Sequence, residues 1–279
     1  MKRVKDVFSI HDFEQEYNLE NEEYDMRNIN VSVSNVSLMY NLSREREERL
    51  KEYIINMLKK KLYFDPFWAL KNVSFQMSPG DSLGIVGQNG AGKSTLLKLI
   101  SGIMKPTKGK IYTRGVIAPM VELGGGFDPG MSAKQNVFFM GAMHGFSKKY
   151  MQERYEEIIE FAELADFADV PVQKFSSGMT SKLAFALATI VNPDIVVADE
   201  ALAVGDMNFR LKCEKRLQDI VAKGATILFV SHSLEQVQKV CAKALWLEHG
   251  EMMMYGDSKE VCGAYKQFMI DKRIAAEVE

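Results

Sequence analysis

Ser82-Leu83-Gly84-Ile85-Val86 runs straight into Gly87-Gln88-Asn89-Gly90-Ala91-Gly92-Lys93-Ser94-Thr95, and the apolar Leu96, Leu97, Leu99 and Ile100 follow. The apolar run at 83–86 reads as a short buried strand and residues 95–103 as a helix, so the glycine-rich segment joins strand to helix. Its spacing is Gly-x-x-x-x-Gly-Lys-Ser/Thr, the pattern of a phosphate-binding loop in the context that the pattern requires. Glycines let main-chain N–H groups come close to phosphate oxygens, and the helix N-terminus adds its partial positive charge. Lys93 is expected to reach the β and γ phosphates, and Ser94 to offer its hydroxyl to Mg²⁺, a hard cation that prefers oxygen ligands.

Such a loop serves many nucleotide-using proteins, so the rest of the chain has to narrow the reading. A guanine-reading Asn-Lys-x-Asp is missing, which disfavours a GTPase. Downstream, the apolar run Ile195-Val196-Val197-Ala198 ends in Asp199-Glu200. Two acids at the tip of a buried strand are costly unless a cation or a reaction uses them; the plain alternative is that they cap the following turn. With the loop upstream, Asp199 is the candidate for ordering the Mg²⁺ shell and Glu200 for the base that polarises an attacking water.

Outward from this pair of features the pattern is α/β. Residues 31–38 alternate Val-Ser-Val-Ser and end, as a half-buried strand, at Tyr40, and residues 69–77 and 82–86 flank a Pro79-Gly80-Asp81 turn. Residues 110–117 are expected to form a hairpin around Arg114-Gly115, residues 147–164 a helix, and residues 195–198 and 226–230 strands covered on both faces. A last hairpin turns at His249-Gly250, and a helix over 258–270 follows. Residues 43–62 carry apolar positions at helical spacing; the helix either lies on its own domain's core or meets a membrane or a membrane partner. The expected division is an acidic extension over 1–30, a nucleotide-binding domain over 31–271 that contains the 43–62 insertion and a helical subdomain at about 131–190, and a tail over 272–279.

Composition removes several classes. The 279 residues are 47% hydrophobic with a formal net charge of −2, so no basic field draws nucleic acid to the surface. The three cysteines lack paired spacing and read as reduced packing residues rather than a disulfide set or a zinc site. A secretory leader and an apolar run long enough to span a bilayer are both missing, so a role at a membrane would need another chain to supply the span.

Phe175-Ser176-Ser177-Gly178-Met179, shortly before the paired acids, resembles the Leu-Ser-Gly-Gly-Gln signature of ATP-binding cassette proteins. Val204-Gly205-Asp206 is similar to that family's D-loop, and His232, after the strand at 226–230, to its switch histidine. The resemblance implies a P-loop fold with a RecA-like core, an antiparallel β-subdomain and a helical subdomain. It also implies ATP and Mg²⁺ as cofactors and hydrolysis in a dimer. Each ATP would lie between residues 87–95 of one subunit and Ser177, Gly178 and their neighbours in the other, with Asp206 and His232 near it. Tyr40 matches the aromatic that stacks on adenine, with Phe67 and Trp68 as rivals. Glu122, in Val121-Glu122-Leu123-Gly124, stands where a glutamine usually touches the metal and the water; it keeps an oxygen ligand but loses the amide donor.

The Ser-Ser-Gly-Met variant, the Asp199–Asp206 stretch and the Glu122 segment together resemble the branch that exports polysaccharides across bacterial inner membranes. This implies a homodimer on the cytoplasmic face, a separate integral-membrane permease, no nucleic-acid partner, and no glycan-binding domain in this chain. Cassette ATPases of other transporters, or those outside transport, are the rivals; the latter generally carry coiled-coil insertions or tandem cassettes.

Overall fold

The computed structural model describes residues 28–41, 66–120, 124–199 and 205–278. The 43–62 insertion, Glu122, Glu200 and nearly all of the 1–30 extension lie outside the described residues. In chain order the elements are β1 (Val31–Asn41), β2 (Pro66–Met77), β3 (Ser82–Val86), α1 (Lys93–Ile100), β4 (Lys108–Thr113), β5 (Ile117–Pro119), α2 (Ala133–Met143), α3 (Lys148–Ala162), α4 (Ser177–Ile190), β6 (Ile195–Ala198), α5 (Met207–Ala222), β7 (Thr226–Val230), α6 (Leu234–Val240), β8 (Lys243–Glu248), β9 (Glu251–Asp257) and α7 (Ser258–Val278). Two short 3-10 turns, Ala165–Phe167 and Val172–Lys174, connect α3 to α4.

The described residues form two compact units, one within 30–114 and 228–278, the other within 115–227. In the first, β1 pairs antiparallel with β2 on one side and β4 on the other. The alternation of β1 puts Val31 and Val33 inside, an irregularity at Asn35 (φ 48°) shifts the register so that Val36 is buried too, and β2 answers with Leu70, Val73, Phe75 and Met77. In the same unit β3 pairs parallel with β8, and β8 antiparallel with β9. β3 is apolar because it is covered; in β9, at the edge, exposed and half-buried residues alternate. His249 and Gly250, both at positive φ (49° and 81°), make the two-residue turn whose twist suits a hairpin.

In the second unit β5 and β6 pair parallel, and α2, α3 and α4 enclose a core that includes Val137, Met151, Ile158, Leu183 and Leu187. Phe161, Phe185 and Phe209 pack with ring centroids 5.8–6.4 Å apart, joining α3, α4 and α5. Ser132 and Gln135 form a reciprocal capping box at the start of α2. The fully buried Asn136 accepts from the Asp128 N–H and donates to the carbonyls of Asp128, Met131 and Ser132, so one amide holds the whole 128–132 turn.

Two expectations are corrected. Residues 110–117 are not a hairpin: β4 belongs to the sheet of β1, whereas β5 pairs with β6. The Asp194 carboxylate accepts from the Val116 N–H at 2.7 Å, and a Cβ on Gly115 would lie 2.5 Å from the same oxygen. That close approach takes the chain away from β4 at the point where a reverse turn was expected. The last helix continues past 270 to Val278. Asp271-Lys-Arg-Ile-Ala-Ala-Glu-Val278 contains no glycine or proline stop, and a Gln267–Asp271 hydrogen bond of 2.8 Å supports the turn.

All three cysteines are free and buried, as packing residues should be, and burial pushes the thiols of Cys213 and Cys241 up to about 12. Native protein at pH 8 is therefore expected to be inert to a thiol-specific chromophoric reagent at these two sites and to react fully in denaturant. Asn136→Ala is expected to strand the Asp128 N–H and to remove three further bonds to carbonyls that each keep a main-chain donor, costing about 2 kcal/mol, a Tm loss of roughly 4–8 °C by calorimetry.

Candidate functional site

The phosphate-binding loop is built from three neighbours in its own unit. Gly87 has φ 150°, and a Cβ there would lie 2.2 Å from the Leu247 carbonyl oxygen at the end of β8. Gly92 has φ 103°, and its Cβ would stand 2.7 Å from the Ala69 carbonyl of β2. Any side chain at either position would force backbone apart. The turn of the last hairpin completes the seat: Gly250 N–H donates to the Ala91 carbonyl at 3.1 Å, while its own carbonyl accepts from Lys71 N–H at 2.8 Å.

Within this seat Gly92 is the N-cap of α1 and contributes no side-chain cap, so no side chain covers the first amides of the helix by capping them. A Cβ on Gly90 would meet nothing within 4 Å, which marks the open side of the loop. Lys93, only 8% exposed, points back along the loop and donates to the carbonyls of Gly87 (2.8 Å) and Gln88 (2.9 Å). Asn89 and Ser94 are exposed, Gln88 and Thr95 half-buried. A row of main-chain donors, an ammonium and a helix start with an open side suit a polyphosphate.

In the same unit, Tyr40 is 37% exposed, donates its hydroxyl to the Met104 sulfur at 3.5 Å, and stands directly across from Phe67 in the β1–β2 register. Trp68 faces Met39 in that register. His232 is exposed on the turn after β7, where the Ser231 hydroxyl donates to the Gln236 side chain at 2.9 Å and accepts from Ser233 N–H. Ser233 caps α6, so the histidine sits on a doubly braced turn.

The other unit holds Asp199, half-buried directly after β6, as well as Ser177, Gly178 and Asp206. Laid on Phe175–Met179, the Leu-Ser-Gly-Gly-Gln pattern puts its serine on Ser176, and the structure gives that residue a task of its own. Its hydroxyl accepts from Met179 N–H at 3.2 Å as the N-cap of α4, leaving Ser177 and Gly178 in the first turn. The Ser-x-x-Met spacing contained this cap signal beside the two residues first singled out.

Asp206 is the N-cap of α5, accepting from Phe209 N–H at 3.0 Å. That hydrogen bond, with the nearby Lys182 ammonium, holds the carboxyl below its usual range. Lys182, in the second turn of α4, bonds Glu163 at 2.5 Å and lies 3.5 Å from Asp206, and the Glu163 bond raises its pKa. The signature helix, the end of α3 and the start of α5 are thereby tied by one ammonium, a residue that no motif flagged. Among the described residues no cluster of metal-ligand side chains stands together, and no helix is long and apolar enough to cross a membrane.

Against known proteins, residues 70–203 match the family model described as ABC transporter. The O-antigen export system ATP-binding protein RfbB of Klebsiella pneumoniae is 39% identical over 245 residues, covering 86% of this chain and 98% of that protein. The teichoic acids export ATP-binding protein TagH of Listeria innocua is 37% identical over 243 residues, covering 87% of this chain and 71% of that one. Among solved structures, the post-hydrolysis dimer of the ATP-binding cassette MJ0796 bound to ADP and Pi overlays with a TM-score of 0.64 at 24% identity, covering 82% of this chain and 98% of that chain. The chain belongs to the ABC transporter family. It is an α/β ATP-binding cassette that binds and hydrolyses ATP.

Ser176→Ala is expected to lower unfolding stability by about 1 kcal/mol through the lost cap, whereas Ser177→Ala should stay within about 0.5 kcal/mol in the same denaturant titration.

Proposed function

We propose that this chain is the motor subunit of an exporter that moves a lipid-linked polysaccharide, of the O-antigen or teichoic acid kind, across the bacterial inner membrane. The observation that carries the reading is the 39% identity to an O-antigen export protein over 98% of that protein's length. The chain would work as a homodimer at the cytoplasmic face, bound to a separate permease.

The residues fit the cofactors. The amides of Gly87–Thr95 would hold the triphosphate, and Lys93, aimed along the loop by the Gly87 and Gln88 carbonyls, would reach the β- and γ-phosphate oxygens. Tyr40 offers a ring face to adenine. Ser94, Asp199 and Glu122 are hard oxygen donors suited to Mg²⁺, which when bound neutralises charge building on the phosphates. Glu200 would take the proton from the attacking water while His232, held on its braced turn, orients that water and the γ-phosphate. Ser177 and Gly178 of the partner subunit's copy, with the positive end of its α4, would close over the γ-phosphate, and Asp206 would lie beside it.

Lys93→Ala is expected to abolish nucleotide binding in equilibrium titration. Glu200→Gln should keep binding but slow turnover by roughly 10²- to 10⁴-fold in a phosphate-release assay. Co-purification with the permease should bring down a lipid-linked glycan; a partner complex that moves only other solutes would overturn the export assignment while leaving the ATPase intact.

A further inference from the structure

The second residue of the phosphate loop is held from the far end of the chain. The Gln88 side chain donates to the Met269 sulfur at 3.0 Å and accepts from the Lys272 ammonium at 3.2 Å, both on α7. The same ammonium lies 3.5 Å from Oε1 of Glu248 and 5.6 Å from the centre of the Phe268 ring. Glu248 ends β8, one residue after the carbonyl that Gly87 abuts, and its side chain is 8% exposed. Among the described residues neither of its oxygens accepts a hydrogen bond; Lys272 and His249 are its ion-pair neighbours, the imidazole also at 3.5 Å from Oε1, and its charge adds to burial in pushing the nearby Tyr265 phenol upward.

A nearly buried carboxylate with no hydrogen-bond donor is an expensive neighbour for a loop that must take up a polyanion. Its field is weakly screened, and a lysine is the cation that remains charged throughout the neutral range. Gln88 extends the connection inward, since its main-chain carbonyl accepts from the Lys93 ammonium at 2.9 Å.

We propose that Lys272 is a positioning residue for nucleotide binding: its ammonium cancels the buried Glu248 carboxylate beside the phosphate loop and steadies Gln88, whose carbonyl places Lys93. The last turns of α7 thus belong to the ATP site although they touch no nucleotide. The inference rests on the reading of residues 87–95 as the ATP-binding loop.

The test uses the full-length chain and titration with a fluorescent ATP analogue plus Mg²⁺, alongside kcat and KM. Lys272→Met should weaken binding and raise KM about tenfold with kcat changed less than about twofold, because an uncancelled anion opposes a charged ligand. Lys272→Arg, and the pair Lys272→Met with Glu248→Gln, should return affinity to within about twofold of wild type. Lys266→Met removes the same charge from an exposed position on the same helix and should change nothing. Glu248→Gln alone gives a reading that does not depend on the lysine variant folding, and affinity should hold or improve. Wild-type affinity in Lys272→Met, a double variant no better than the single, or weakening by Glu248→Gln beyond about threefold would each overturn the proposal. Failure of the wild type itself to bind ATP would instead remove the parent reading.

Discussion

The carbonyl oxygen of Leu247 stands where a side chain on residue 87 would have to be, and the rest of the nucleotide loop is arranged around that contact. Backbone pressed against backbone excludes side chains at Gly87 and Gly92, so a ligand on the open side of the loop can come close to main chain. The same crowding recurs where Gly92 meets Ala69, and the hairpin turn pins Ala91 between them. A binding surface made of main chain depends on sequence chiefly through the strands that crowd it. Its supports are accordingly buried β-residues such as Leu70 and Leu247 rather than polar side chains.

The helical unit follows a different logic, in which isolated polar groups fix the joints between greasy helices. Asn136 gives the Asp128 N–H its acceptor and gathers the carbonyls of Asp128, Met131 and Ser132, and Lys182 ties α4 to the end of α3 and the start of α5 with one charge. Glu163, in left-handed backbone at φ 59° where glycine is favoured, is kept there by two lysines, Lys182 and Lys212. Most of these pairs are part-exposed, so their worth lies in geometry more than in stability. The apolar contacts of Phe161, Phe185 and Phe209 supply the cohesion.

What could be read from residues alone was whatever has a local cause. The strand, glycine loop and helix at 82–100, the covered strands at 195–198 and 226–230, and the His249-Gly250 turn all have their reasons within a few neighbouring residues. The wrong hairpin at Arg114-Gly115 shows the limit: its turn signal is real, but the partner that redirects the chain, Asp194, is 78 residues from Val116. Lys272 was similarly hidden in an apparent tail, because its significance depends on a glutamine 184 positions earlier. Ser176 is the opposite case, a local cap signal overshadowed by the motif that contained it.

The parallel pairing of β3 with β8 has a consequence for how the protein is made. Ser82 accepts a hydrogen bond from Ala242 N–H across 160 residues of chain, so on a ribosome the strand that leads into the nucleotide loop emerges long before its neighbour exists. During that interval Leu83, Ile85 and Val86 have no finished sheet to enter. The nascent cassette acquires its capacity for ATP late, after the closing hairpin has been synthesised, and a ribosome stalled before residue 243 would hold a sticky chain with no working motor.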